Sequence, residues 1–285
     1  MTLPNFLVIG APKAGTGSFH DYLRQHPDVF IPIKKDPRWF CFTGQKNKDR
    51  YPIRSQEEYE ALFEGVTTEK AIGESTALYF WSEVAPARIK ATIPDAKLIV
   101  SLREPVQRAF SIYHMNLRTE GHNEGLSFLE ALKVDKILQR TYHEALSAYL
   151  AHFDRSQFKI VLFEDLAKNT MATIQSVFEF LGVDPAFEPD LKISNPGGVP
   201  RSKWFHKLMT NDKLRTWSRT YLPESVVYKA KDLRSLNLDK AKMVLTEEER
   251  AVAYAFYRDD ILRTQDLIGM DLSRWLRPED VPAAA

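Results

Sequence analysis

The chain has 285 residues, with 39 Lys+Arg against 38 Asp+Glu and a formal net charge of +1. Hydrophobic residues make up 44% and charged residues 27%, the balance of a globular chain that can bury a full core as one large domain. The charge balance argues against a genome-scale nucleic-acid binder, though not against a local basic pocket. The single Cys41 excludes an internal disulfide framework and a cysteine-based metal cluster.

The start, Met1-Thr2-Leu3-Pro4-Asn5, lacks the basic region and long apolar stretch of a signal peptide. No apolar run approaches the roughly 18 residues that span a bilayer. The expectation is a soluble, reduced, cytoplasmic protein with no stable membrane insertion. The apolar run Phe6-Leu7-Val8-Ile9 reads as a short buried strand ending at Gly10. A glycine-containing loop follows, then an amphipathic helix over 18–25 with Phe19, Tyr22 and Leu23 on one face. His26-Pro27 stops it. Residues 29–31 read as a second strand. Cys41 reads as a small hydrophobe beside Trp39, Phe40 and Phe42.

Residues 44–60 are polar and read as a surface excursion. Residues 71–73 form a weak strand, 83–92 a helix, and 97–102 a strong strand. Arg103-Glu104-Pro105 then turns the chain, with Pro105 suited to the first turn of a helix reaching residue 117. Helical patterns recur over 127–152, a strand over 158–163 and a helix over 170–181, ended by Gly182. Strands alternating with helices predict an α/β fold, a P-loop-type parallel sheet flanked by helices. Residues 183–203, rich in proline with adjacent Gly197-Gly198, read as a long loop. The remainder, 204–285, reads as helical, with Trp204, Trp217 and Trp275 as packing anchors. The whole is expected to be one domain, with a core over 1–182.

Strand, glycine-containing loop, helix is the layout that aims backbone N–H groups and a helix N-terminus at an anion. Here the loop is Gly10-Ala11-Pro12-Lys13-Ala14-Gly15-Thr16-Gly17-Ser18. Gly10 and Gly15 have the spacing of the NTPase phosphate loop, but Thr16 stands where that motif has lysine, and the lysine comes earlier, at Lys13. An NTPase also needs a magnesium-binding acid at a strand end. The strand 97–102 ends in Arg103 instead, which suits direct anion binding without a metal. Ligands of open parallel sheets lie beyond the strands' carboxyl ends, where both elements fall. Arg103 with Ser111, inside the next helix, can fix a second phosphate. Two anion sites suggest a nucleotide phosphorylated at both ends. Arg108 and Arg118 read as a solvated helix face.

These residues resemble the sulfotransferases that use 3′-phosphoadenosine 5′-phosphosulfate (PAPS), most closely the heparan-sulfate-type and bacterial branch. Pro12-Lys13-Ala14-Gly15-Thr16 is similar to that family's 5′-phosphosulfate loop. Leu102-Arg103-Glu104-Pro105, with Ser111 eight residues after Arg103, is similar to its 3′-phosphate element. Phe163-Glu164-Asp165-Leu166 and Phe180-Leu181-Gly182 resemble its later strand-and-helix segment. The resemblance runs from about residue 5 to residue 205. It implies that Lys13 contacts the transferred sulfuryl group and that Lys13, Ala14, Gly15, Thr16, Gly17 and Ser18 bind the 5′-phosphate. It further implies that Arg103 and Ser111 bind the 3′-phosphate, that Arg201 closes over the cofactor with the 183–203 loop, and that no metal takes part. The acceptor would be a hydroxyl-bearing small molecule, lipid or carbohydrate, and the oligomeric state stays open.

The chain departs from the family pattern in three places. Gly17 stands where many members carry a second threonine. After His26-Pro27-Asp28, the segment Lys35-Asp36-Pro37-Arg38-Trp39-Phe40 places Asp36 at the family's acidic catalytic position and Arg38 where a histidine is usual. Ser75 replaces a lysine of the heparan-type members. Sulfuryl transfer, like phosphoryl transfer, depends on positioning and charge stabilisation. Lys13 supplies charge. Asp36 is the candidate general base for a hydroxyl acceptor, against the plainer reading of a surface ion pair with Lys35 and Arg38. His20 reads as a partly buried helix histidine. His114 is placed to line an acceptor pocket. His26, His122, His143, His152 and His206 have no argued role. The competing readings are a P-loop nucleotide kinase or NTPase and a catalytically inactive nucleotide-binding protein.

Overall fold

The computed structural model describes residues 2–44, 51–117, 123–191 and 244–277, with residues 118–119 and the strands Val199–Pro200 and Leu238–Asp239 described by backbone alone. Five strands build the central sheet: β1 (Phe6–Gly10), β2 (Val29–Phe30), β3 (Ala71–Ser75), β4 (Lys97–Leu102) and β5 (Phe158–Leu162). Their order is β2-β3-β1-β4-β5, and every pairing is parallel. A strand in such a sheet is covered on both sides, so its apolar residues run nearly without interruption. Leu7, Ile9, Leu98, Val100 and Leu102 pack on one face; Phe6, Val8, Ile99 and Val161 pack on the other. The fold class expected from the sequence, a parallel sheet flanked by helices, is the one observed.

The first face is covered by α3 (Ala85–Thr92), α4 (Pro105–Thr119), α6 (Tyr142–Leu150) and the long α9 (Glu247–Ile268). The second is covered by α1 (Thr16–Leu23) and α8 (Thr170–Leu181). Shorter helices are α2 (Gln56–Glu60), α5 (Phe128–Val134) and α7 (Phe163–Lys168). Helix α9 starts on a capping box in which Thr246 and Glu249 satisfy each other's backbone N–H groups. It ends at Gly269 in the left-handed conformation. Helix α8 ends in the same way at Gly182, as the sequence predicts.

The chain leaves β1 toward β2 and leaves β4 toward β5, on opposite sides of the sheet. The adjacent carboxyl ends of β1 and β4 are therefore the topological switch point, where such sheets open a crevice for ligands.

Several expectations change. Helix α1 begins at Thr16, two residues before the apolar pattern starts, because Gly15 caps it with φ 84°. Strand β3 runs on to Ser75, with Glu74 and Ser75 buried although polar. The 127–152 stretch divides into α5 and α6, and Asp135 accepts from Ile137 N, Asn116 and Asn123 in the link. Strand β5 gives way to α7 at Phe163. The polar 44–60 stretch is not wholly a surface excursion, since Tyr59 is fully buried and its ring lies parallel to Trp39. Arg108 is not on a solvated face: it is fully buried, its guanidinium against the rings of Trp81, Tyr142 and Tyr257. The Arg118 side chain, Trp204 and Trp217 lie outside the described residues. Trp275 is buried, as an anchor would be. A two-stranded antiparallel pair, Val199–Pro200 with Leu238–Asp239, adds strand to a region read as loop and helix.

Candidate functional site

The loop leaving β1 is tied down from below. Ala11 N donates to Ser101 O at 2.7 Å, and the Ser101 hydroxyl donates to Ala14 O at 2.6 Å. Gly10 has to be glycine, because a Cβ there would lie 2.5 Å from the Cβ of Phe80. Gly15 is equally constrained: its φ is +84°, and a Cβ would meet the Phe163 ring at 2.9 Å. No side chain caps α1. The first N–H groups of a helix have no intrahelical carbonyl to reach, so the turn from Thr16 presents donors and positive potential to whatever lies beyond the loop. Lys13 is half-buried, with a left-handed backbone at φ 69°. Thr16 is buried, and Gly17 and Ser18 are half-buried.

Arg103, just past β4, meets this loop directly. Its Nη1 donates to Lys13 O at 3.2 Å, and its guanidinium carbon lies 4.8 Å from the centre of the Phe163 ring. Burial lowers its pKa, with the nearby Tyr142, Glu164 and Glu104 acting to raise it. The backbone beside it is pinned: Glu104 N donates to Glu164 Oε1 at 2.9 Å. The Glu104 carboxylate accepts from Val106 N and Gln107 N at the start of α4. Ser111 lies two turns along that helix and is half-buried. The structure thus joins Lys13 and Arg103 through the loop carbonyl, and Phe163 of the 163–166 segment lies against both the Arg103 guanidinium and Gly15 of the loop.

Across the crevice, residues 35–40 are stitched to the end of β3. Asp36 N donates to Ser75 O at 2.9 Å, and Asp36 Oδ1 accepts from Ala77 N at 3.2 Å. Arg38 N donates to the Thr76 hydroxyl and Phe40 N to the Tyr79 hydroxyl. Asp36 and Arg38 both hold φ 61°, a conformation uncommon outside glycine and kept here by these bonds. Asp36 is half-buried at the mouth of this turn, and one carboxylate oxygen is already occupied by Ala77.

Three neighbours take roles that the sequence reading did not give them. Lys35 reaches back to the phosphate loop, its Nζ donating to the Thr16 hydroxyl at 2.9 Å. Burial lowers its pKa, while Asp36, Asp21 and Glu74 oppose that shift. The only signal in the sequence was its adjacency to Asp36. Glu74 is fully buried, accepts from Thr76 at 2.9 Å, and lies within 3.5 Å of the Tyr59 hydroxyl. Burial pushes its carboxyl up to about 8. The third is the Ser75 hydroxyl, buried at the carboxyl end of β3 and without a partner among the described residues.

His20 is buried on α1, and burial pushes its imidazole down to about 3, so it is neutral at ordinary pH. His114 is half-buried with its ring edge-to-face against Phe110. Cys41 is half-buried and its thiol is pushed up by burial, as befits a packing residue. Arg201 lies outside the described residues, as do His122 and His206.

A model described as the sulfotransferase family matches residues 84–189, the stretch that carries Arg103 and Ser111. The crystal structure of a sulfotransferase from Alicyclobacillus acidocaldarius superposes with a TM-score of 0.72 and 29% identity, over 97% of this chain and 100% of that one. Over residues 84–189 the chain is similar to the sulfotransferase family, and along nearly its whole length it shares the fold of the Alicyclobacillus enzyme. Human carbohydrate sulfotransferase 15 is 29% identical over 254 residues, 65% of this chain and 45% of that protein. Human heparan sulfate glucosamine 3-O-sulfotransferase 6 is 33% identical over 188 residues, 63% of this chain and 52% of that protein. The chain therefore spans less than half the length of the first of these relatives. A mouse sulfotransferase complexed with PAP shares the fold at 16% identity and a TM-score of 0.52.

Proposed function

We propose that the chain transfers the sulfuryl group of PAPS to a hydroxyl of a small-molecule, lipid or carbohydrate acceptor. The observation that carries this reading is the contact of Arg103 with the Lys13 carbonyl at the switch point, with an arginine where an NTPase needs a metal-binding acid. The residues present fit a nucleotide with anionic groups at both ends. The turn at Thr16, Lys13 and Lys35 face one end, and Arg103 and Ser111 suit the other. The Ser75 hydroxyl, without a partner among the described residues, is a donor left for a ligand oxygen.

When bound, the nucleotide supplies an activated sulfuryl group on its 5′-phosphate. Lys13 stabilises the negative charge that grows on the bridging oxygen, an interaction stronger in the transition state than before it. Lys35 adds a second ammonium, positioned by Thr16. Asp36 accepts the acceptor's hydroxyl proton, its orientation fixed by Ala77 N. Buried Glu74, protonated at neutral pH, holds Thr76 and so the turn on which Asp36 and Arg38 rest.

Incubation with sulfur-35-labelled PAPS and a panel of sugars, lipid alcohols and phenols, in the presence of a chelator, tests the reading. Label should pass to at least one hydroxyl acceptor, and Lys13→Ala should abolish the transfer. ATP turnover that requires magnesium, with no transfer of label to any acceptor, would overturn it.

A further inference from the structure

Hydrogen bonds link the C-terminal helix α9 through Tyr142 to Arg103. Asp260, on α9, is buried. Its carboxylate accepts from Tyr142 N, at 2.9 Å to Oδ2 and 3.1 Å to Oδ1, and from His143 N at 2.9 Å. These are the first N–H groups of α6, the donors a helix leaves without partners. The negative charge also complements the helix N-terminus. Tyr142 itself is fully buried, and its hydroxyl turns onto the backbone of Arg103. It donates to Arg103 O at 2.7 Å and accepts from Arg103 N at 3.2 Å. One phenol thus satisfies both backbone groups of the residue that leaves β4, where the sheet can no longer do so.

The ring is held as firmly as the hydroxyl. Trp81 lies parallel to it, with centroids 6.3 Å apart and an interplanar angle of 9°. Trp275 packs on it at 6.1 Å. The buried guanidinium of Arg108 lies 4.7 Å from the Trp81 centroid and 5.2 Å from that of Tyr142, and Arg108 also donates to the carbonyl of Arg140. Cation–ring attraction is strongest where water is excluded, which makes this cluster a rigid seat.

We infer that Tyr142, anchored by Asp260 and seated against Trp81 and Arg108, is the positioning residue that fixes Arg103 for recognition of the nucleotide's 3′-phosphate. It touches no ligand; it sets the point from which the arginine side chain starts. The guanidinium has its own supports in Lys13 O and Phe163, so losing the phenol shifts the arginine without unmaking the loop. A bidentate arginine contact depends on geometry, so a small displacement is read out chiefly at the phosphate it binds. The inference rests on the proposed function, because it takes Arg103 as the 3′-phosphate ligand.

The test is isothermal titration of wild type and Tyr142→Phe with adenosine 3′,5′-bisphosphate and with adenosine 5′-monophosphate. The ratio of the two dissociation constants isolates the 3′-phosphate. The expected result is a ratio in Tyr142→Phe that falls about three- to tenfold, the worth of roughly one net hydrogen bond, with the monophosphate affinity changed less than about twofold. A general loosening of the fold would weaken both nucleotides alike. If Tyr142→Phe does not fold, Asp260→Asn, which weakens the anchor and keeps the phenol, should lower the ratio in the same direction by less. A ratio equal to that of wild type in a folded variant overturns the inference. A wild-type ratio near one overturns the proposed function beneath it, and the two failures are told apart by which protein shows them.

Discussion

The two sides of the crevice are built in different ways. On the β1–β4 side, each part follows directly from the end of a strand: the Lys13 loop from β1, Arg103 from β4, Phe163 from β5. Backbone and serine-hydroxyl bonds from the end of β4 hold it, and glycine stands at two of its tight positions, Gly10 and Gly15, while Lys13 takes a left-handed φ of 69° between them. On the β2–β3 side, Asp36 and Arg38 sit on a turn without glycine. It keeps two left-handed residues only because Ser75, Thr76, Ala77 and Tyr79, some forty residues on, supply the partners. The first side is fixed by the ends of the sheet's strands, and the second depends on partners brought in from the end of β3. The account therefore assigns donor binding to one side and acceptor activation to the other.

Substitutions can break that division. The largest effect is expected at Asp36. Asp36→Asn keeps the bond from Ala77 and removes the basicity, so transfer to an alcohol should fall by roughly 10²- to 10⁴-fold, and less for a phenol, which gives up its proton more readily. Nucleotide affinity, measured by calorimetry on the same variant, should stay within about twofold. A parallel loss of affinity would mean that the two sides do not act separately. Lys13→Ala should lower kcat by roughly 10²- to 10³-fold while affinity for the desulfonated product changes less. Single-turnover measurements would distinguish this from slowed release, and an unchanged chemical step would remove Lys13 from the reaction. Arg103→Ala should cost about 1.5–3 kcal/mol of binding for the bisphosphate, the worth of a charge-assisted bond, and leave the monophosphate little affected.

A different kind of effect sharpens the comparison through stability. Glu74 lies under the acceptor-side turn, with its carboxyl at about 8 in the folded protein against an ordinary 4.5. A group whose folded value is raised binds its proton more tightly folded than unfolded. Its contribution is fully present below pH 4.5 and is lost as pH rises through 8. The slope approaches about 1.4 kcal/mol per pH unit between those limits. Glu74→Gln should remove that slope from the denaturation free energy measured across pH 5–8, and an identical slope in the variant would show that Glu74 ionises freely. His20 acts in the opposite sense. Its value near 3 means that stability falls as pH drops below 6.5, so His20→Asn should flatten the acid side.

The same contrast explains what could be read in the sequence. Strand-end motifs are contiguous, so the Lys13 loop, Arg103 and the parallel sheet were legible from spacing and hydrophobic runs. Asp36 was reached through a family resemblance, and its left-handed turn was not legible at all, since nothing local requires one. Lys35 was legible only as a neighbour of Asp36, because its partner, Thr16, lies nineteen residues earlier across the crevice. Arg108 read as solvated because charged helix residues usually are. Its burial depends on Trp81, Tyr142 and Tyr257, which come from three other parts of the chain. Tyr59 was hidden likewise, a buried ring within a stretch that is mostly polar.

The central claim is that the crevice between β1 and β4 takes a nucleotide phosphorylated at both ends, and takes it without a metal. The most direct measurement is calorimetry of the wild-type chain in excess chelator, comparing adenosine 3′,5′-bisphosphate, adenosine 5′-monophosphate and ATP. The account predicts that the bisphosphate binds at least about tenfold more tightly than the monophosphate, and that added magnesium does not improve it. Equal affinity for the two, or binding of ATP that appears only with magnesium, would contradict it.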